Sequence, residues 1–298
     1  MHIFMTGASG WIGSAVVDEL LGAGYTVTGL ARSATTARAM ERQGVTALHG
    51  DLDDPDSLRQ GASRADAVVH LANKHDWAHP DVMNRAERNA VRTLGDALAA
   101  TDRAFLVASA LAGVRSDGVA TEDDPSPAVG LDSMRGGSEN LALDYSERDV
   151  RAMAVRFAPS VHGPGDPGFV AALVRAAHAH GFSAYPDEGS NTWSAVHRAD
   201  AARLIRLSIE TAPAGSRLHA VGEESVSTRT IAEAIAARYS LSSSSIPSED
   251  AVAHFGSVGR FFTQTIHANS TRTENLLGWA PTHSTLEADI HDGAYDSA

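Results

Sequence analysis

Thr6-Gly7-Ala8-Ser9-Gly10-Trp11-Ile12-Gly13 separates the apolar run Ile3, Phe4, Met5 from a segment in which Ile12, Val16, Val17, Leu20 and Leu21 recur at helical spacing. A short apolar run, a glycine-rich turn and an apolar stripe with the helical period read as strand, loop and helix. Each glycine of the GxxGxxG spacing then has a task. Gly7 permits the tight turn, Gly10 lets a pyrophosphate approach the backbone, and Gly13 lets the helix pack closely on the strand. The helix start offers unpaired N–H groups and a positive dipole end to phosphates. Thr6, Ser9, Trp11 and Ile12 are expected to line the same site. Three glycines in an ordinary turn is the competing reading, and their placement between strand and helix argues against it.

Outward from the loop, apolar segments at 26–31, 45–49, 67–71, 105–108 and 152–157 alternate with helical patterns, two of them long, at 86–100 and 133–148. This alternation predicts an α/β fold, a doubly wound parallel sheet of Rossmann type with a smaller C-terminal substrate lobe. The acidic stretch 116–129 reads as a loop. Between 159 and 168 three prolines and three glycines mark a crossing between lobes. Residues 1–163 are assigned to the dinucleotide domain, with 193–222 returning to it, and 164–192 and 223–298 to the smaller lobe. Helices are expected at 169–180, 199–211 and 228–239, and the serine run 242–245 reads as a turn or linker.

Composition narrows the functions open to the chain. Its 298 residues are 43% hydrophobic and 20% charged, as in a soluble globular protein with room for two modest lobes. No apolar run approaches the roughly 18 residues of a membrane helix. Met1 leads into Ile3 without a basic leader or cleavage site, so the expected location is the cytoplasm, with no membrane partner. With 37 acidic against 24 basic residues the net charge is −13, which argues against a nucleic-acid partner. Lys74 is the sole lysine, so P-loop, kinase and Schiff-base chemistries lack their cation, and the absence of cysteine removes thiol nucleophiles and Cys-ligated zinc. No GxSxG elbow occurs. His75, Asp76 and His79 lack the HExxH spacing, and Pro80 argues against a helix presenting both histidines, so no metal is expected.

The loop resembles that of the short-chain dehydrogenase/reductase superfamily, in the atypical branch close to its extended, epimerase/dehydratase-like members. The likeness runs along nearly the whole chain. Asp51-Leu52 resembles the adenine contact after the third strand, and His70-Leu71-Ala72 the fourth-strand end beneath the cofactor. The run Arg156 to Gly165, containing Pro159, Ser160 and Val161, resembles the segment under the nicotinamide. Val196-His197-Arg198-Ala199-Asp200 and Leu277-Gly278-Trp279-Ala280-Pro281 match later landmarks.

An NAD site usually carries an acid at the end of the second strand to bind the ribose 2′-hydroxyl. Here that strand ends in Arg32-Ser33. A guanidinium and a hydroxyl suit a 2′-phosphate, so the expected cofactor is NADP(H). A solvated strand-end arginine is the competing reading.

The resemblance also exposes a gap. The superfamily's YxxxK proton relay is absent. Matching Glu139 to the glutamate that follows that motif puts Leu131 at the tyrosine and Arg135 at the lysine. Arginine can hold a ribose but cannot exchange protons. Glu87 falls near the usual asparagine and Ser109 near the usual serine, although a shift of register would put Ala110 or Leu111 there. His75 follows a strand end on the ligand-binding edge and titrates near neutrality, which makes it the candidate general acid; the alternative is a solvated loop histidine. His162 is a second candidate, or a turn cap. Asp76, Tyr185 and Trp193 are weaker substrate candidates, the two aromatics serving equally well in a core.

The expected function is an NADP(H)-dependent oxidoreductase reducing a carbonyl or related C=X bond of a small organic molecule. The alternatives are a non-redox isomerase, cyclase or dehydratase on the same fold, or an inert NADP(H) sensor. The resemblance further implies a homodimer built on the helices at 86–100 and 133–148, with Leu94, Leu98, Leu141 and Tyr145 as its apolar surface.

Overall fold

The computed structural model describes residues 1–76 and 78–297. Its strands are β1 (His2–Thr6), β2 (Thr26–Ala31), β3 (Thr46–His49), β4 (Ala67–His70), β5 (Ala104–Ala110), β6 (Arg151–Phe157), β7 (Ser160–His162), β8 (Phe182–Pro186), β9 (Thr192–His197), β10 (Ser216–Ala220), β11 (Glu223–Ser227) and β12 (Ser242–Ile246). Seven of them form one sheet in the order β10-β6-β5-β4-β1-β2-β3, every pair parallel. The order reverses between β1 and β4, and ligands of such sheets bind outside the carboxyl ends of the strands at that reversal.

The central strands read as unbroken apolar runs because helices cover both faces. Ile3 and Met5 of β1 pack on one face with Val16, Val17 and Leu20. Phe4 points to the other, among Leu58, Leu94 and Phe105. Fit is close enough on that second face that a Cβ at Gly61 would lie 2.3 Å from the Phe4 ring.

Beyond β6 the chain leaves the sheet. β7, β9 and β11 form a three-stranded sheet, and β8 pairs with β12. Within 193–222, the helix Arg198–Thr211 and β10 return to the large sheet, whereas β9 stays with the small one. The serine run is therefore a strand and not a linker: Ser242–Ile246 pairs in parallel with Phe182–Pro186. Its side chains are mostly exposed, so no apolar alternation announced it, and the backbone pairing that makes the strand does not depend on side chains.

Two helical expectations are revised. The helix predicted from residue 86 starts at Pro80, which supplies a proline start, and runs to Leu98. The one predicted over 133–148 is broken into a tight turn, the short helix Ser138–Asp144 and a final tight turn, because Arg135, Gly136 and Gly137 all take left-handed backbone angles. The apolar surface expected for a dimer is also not available. Leu94, Leu98 and Tyr145 are buried within the protomer, Leu141 packs against the same core, and Tyr145 covers Gly95. Arg85, Asn89, Arg92 and Asp96 face solvent on the long helix instead. Among the described residues no helix is long and apolar enough to cross a membrane.

Candidate active site

A groove of about 960 Å³ opens at the strand-order reversal. Its floor is the glycine loop. Gly7 has φ +75°, and a Cβ there would lie 2.7 Å from the Ala72 backbone nitrogen. At Gly13 it would lie 2.0 Å from the Gly7 carbonyl oxygen. These two glycines hold the loop tight against the start of the helix Trp11–Gly22. That helix has no side-chain cap and no acid in its first turn, leaving its N–H groups for an anion. Ser9, Gly10, Trp11 and Ile12 line the groove. The Trp11 indole donates to the Val161 carbonyl at 2.6 Å, and the Arg198 guanidinium lies 3.9 Å from its ring centre. Thr6 sits behind the loop: its hydroxyl is 2.7 Å from His70 Nδ1 and accepts from the Ala72 N–H at 3.3 Å.

Toward β2 and β3 the lining includes Arg32, Asp51, Leu52 and Thr36, with Leu71 and Ala72 beneath. Among the described residues no carboxylate pairs with Arg32. Ser33 is not in the lining; it caps the helix Ala34–Arg42, accepting from the Thr36 N–H. Thr36 takes the groove position expected of Ser33. A reading by sequence neighbours misses it, because Thr36 reaches the groove from the first turn of that helix. Lys74 also lines the groove and pairs with Asp53.

Toward β5 and β6 the lining passes through Ser109, Arg135, Pro159 and Val161. Ser160 alternates away and is buried, its hydroxyl without a partner among the described residues. Arg135 reaches Glu87 of the long helix at 2.6 Å. Glu87 also accepts from Asn73 at 3.1 Å, and His70 Nε2 is 3.8 Å away. Burial pushes the Glu87 carboxyl up, but Arg135 and His70 overcome it and hold it below the ordinary carboxylate range. Burial, against the pull of Glu87, keeps His70 below the usual imidazole value. Glu87 lies under the groove and touches it through Arg135, whose Nε has no hydrogen-bond partner among the described residues. The glycine cradle and this orphaned N–H fit a bound dinucleotide.

Ser109 donates to Glu139 Oε2 at 2.5 Å, so its lone pairs, not its proton, face the groove. Burial raises the Glu139 carboxyl, but Arg156, bonded to it at 2.6 Å, and Ser109 keep it low. No tyrosine stands among the described lining residues.

His75 lies at the exposed mouth of the groove with φ 50°, its N–H donating to Asn73 Oδ1 at 2.8 Å. Partial burial against the groove wall, then Arg135, lower its pKa, so the imidazole is mainly neutral at neutral pH. Asp76 faces His79 at 3.0 Å, outside the lining.

The remaining candidates lie elsewhere. His162 is buried, 2.7 Å from Asp289, and is not among the residues lining the groove. Tyr185 stacks under Arg229 at 4.6 Å, away from the groove. Trp193 is buried one layer behind it: the indole donates to the Phe261 carbonyl at 3.1 Å, and its ring lies 5.7 Å from that of Phe169. Phe169 and Phe261 line the groove, their rings stacked at 5.3 Å. Only tertiary contact brings these two distant residues together. Ligand atoms of His197, Asp200 and His283 lie within 4.8 Å of one another. They are already engaged by the fold, Asp200 accepting from Thr282 and His283 N–H groups and His197 from Ala199.

A glycine cradle at the strand-order reversal of a parallel sheet defines a dinucleotide-binding protein of Rossmann type. The chain belongs to the NAD dependent epimerase/dehydratase family, whose model matches residues 3–221. It is 38% identical over 296 residues to an uncharacterized protein of Schizosaccharomyces pombe, covering 99% of this chain and 100% of that one. The sterol-4-alpha-carboxylate 3-dehydrogenase, decarboxylating, of Dictyostelium discoideum is 27% identical over 251 residues, 76% of this chain and 73% of that protein. Among solved structures, dTDP-glucose 4,6-dehydratase from Bacillus anthracis in complex with NAD superposes with a TM-score of 0.78 at 16% identity, covering 100% of this chain and 97% of that one.

Proposed function

We propose that the protein is a cytoplasmic NADP(H)-dependent oxidoreductase that reduces a carbonyl or related C=X bond of a small organic molecule. The observation that carries this reading is Arg32, a guanidinium lining the groove at the end of β2 with no carboxylate partner among the described residues. It suits a 2′-phosphate, and Thr36 lines the same groove. The reduced nicotinamide, when bound, supplies the hydride. Arg135, aimed by Glu87, binds the adjoining ribose or phosphate through its N–H groups without giving up a proton. Ser109 accepts a hydrogen bond from the groove. His75, the titratable imidazole at the groove mouth, delivers the proton that the product oxygen needs, directly or through one water.

The test is NADPH oxidation with a panel of ketones and aldehydes, alongside equilibrium binding of NADPH and NADH. Tighter NADPH binding with carbonyl-dependent oxidation supports the reading. Equal binding, or no oxidation with any carbonyl, overturns it. The Ser109 proton, directed at Glu139 and away from the groove, favours a second reading, an NADP(H) sensor without chemistry. A homodimer belongs to the proposal through a contact other than the buried leucines, and light scattering checks it.

A further inference from the structure

The groove changes character across the strand-order reversal. On the β2 and β3 side its charged residues are Arg32, with no carboxylate partner among the described residues, Lys74, paired with Asp53, and Asp51. On the β5 and β6 side the described lining holds one cation, Arg135, and its charge is met by Glu87 at 2.6 Å. The acids there are Asp132, exposed, and Asp166, buried and accepting from Tyr295 at 3.0 Å and the Gly168 N–H at 2.7 Å. An anion entering this half would meet carboxylates and no uncompensated positive charge, inside a chain of net charge −13.

The walls of the same half are apolar. Phe169 and Phe261 present half-buried, mutually stacked rings, and Ile266 and Met134 also line the groove. Trp193 holds this wall from behind by its bond to the Phe261 carbonyl, and Phe262 packs against the Trp193 ring at 5.1 Å. Past Ser109 the groove adjoins a side pocket of about 220 Å³ lined by small residues such as Ala112, Gly113 and Ala128. Rigid aromatic walls with few polar groups select a flat apolar body.

We infer that the substrate is an uncharged carbonyl compound with a planar apolar body seated against Phe169 and Phe261, and not a sugar carrying a diphosphate. The inference rests on the oxidoreductase reading for its chemistry. A hydride adds to the carbonyl carbon, the C–O π pair moves to oxygen, and oxygen takes one proton to give an alcohol, NADPH becoming NADP⁺.

The probes are ethyl benzoylformate and benzoylformate, which share ring and ketone and differ in charge, with UDP-glucose as the diphosphate. Calorimetric binding in the presence of NADPH is read separately from NADPH oxidation. The ester is expected to bind at least about tenfold tighter than the acid anion, with UDP-glucose not competing. Phe261→Ala is expected to weaken the ester about tenfold. Phe169→Leu and Phe261→Leu, which keep apolar volume and so the fold, are expected to weaken it by a smaller factor. Failure of the ester to bind, tighter binding of benzoylformate or UDP-glucose, or unchanged ester affinity in both leucine variants overturns the inference. Ester binding without NADPH oxidation supports it and instead counts against the oxidoreductase reading.

Discussion

Glu87 and Arg135 form an ion pair that joins the long helix to the wall of the groove, with guanidinium and carboxylate 2.6 Å apart. Arg135 reaches it from a backbone with φ 52°, followed by Gly136 at 61° and Gly137 at 63°. A non-glycine residue is held in that region only by its surroundings. Glu87 ties the Arg135 side chain there, while Arg88 donates to the Gly136 carbonyl at 2.8 Å.

Glu87→Gln is therefore expected to destabilise the fold by about 1–3 kcal/mol, since Arg135 keeps its charge while its buried counter-charge is lost. Because the folded Glu87 pKa is depressed, the pair's contribution is present above pH 4.5 and is lost as pH falls through the lower folded value. Urea unfolding of both proteins at neutral and acid pH checks this: the two stabilities should converge in acid. A constant gap would assign the loss to packing.

The loop glycines should separate by role. At Gly13 an added Cβ meets the Gly7 carbonyl oxygen at 2.0 Å, whereas at Gly10 the approach is 3.2 Å. Gly13→Ala is expected to cost about 1–3 kcal/mol of stability and to lose cofactor binding with it. Gly10→Ala should fold within about 1 kcal/mol of the parent while binding NADPH at least about tenfold more weakly, because its methyl stands where the pyrophosphate approaches. Thermal melts with and without NADPH distinguish the two.

Arg32→Ala should raise the NADPH dissociation constant by about 10–100-fold, the worth of a charged hydrogen bond to phosphate, and leave NADH within about twofold. Fluorescence titration with both nucleotides reads the effect. Parallel losses for NADPH and NADH would place Arg32 against a group the two share.

If His75 donates the proton, its lowered pKa means that the competent form accumulates only in acid. Turnover should rise as pH falls below 6.5 through that lowered value, and His75→Ala should remove this limb and reduce kcat by about 10²–10⁴-fold. A variant within a few-fold of the parent over the same pH range would eliminate His75 as donor.

Much of the fold was legible in local pattern. The loop from Thr6 to Gly13 and the apolar runs of β1, β4 and β5 carry strong apolar or glycine signals, because a strand buried on both faces is apolar along most of its length. β12 carried no such signal, its serines being exposed on an edge strand. The break at Arg135 was also hidden: helical spacing from Leu131 to Glu139 survives on paper, while Gly136 and Gly137 admit the left-handed turn that ends it.

The site divides the same way. Arg32, Asp51, Leu71, Ala72 and Pro159 stand at strand ends, and a parallel sheet brings its strand ends to one edge whatever the side chains do, so the chain order alone set their place in the groove. Direction and partnership came from packing. Ser109 turns its proton to Glu139, His162 turns to Asp289, and Trp193 stands behind Phe169 and Phe261. The three hydrogen-bond partners lie 30, 127 and 68 positions away, and a burial cost that only the assembled core imposes decides which polar group must face which.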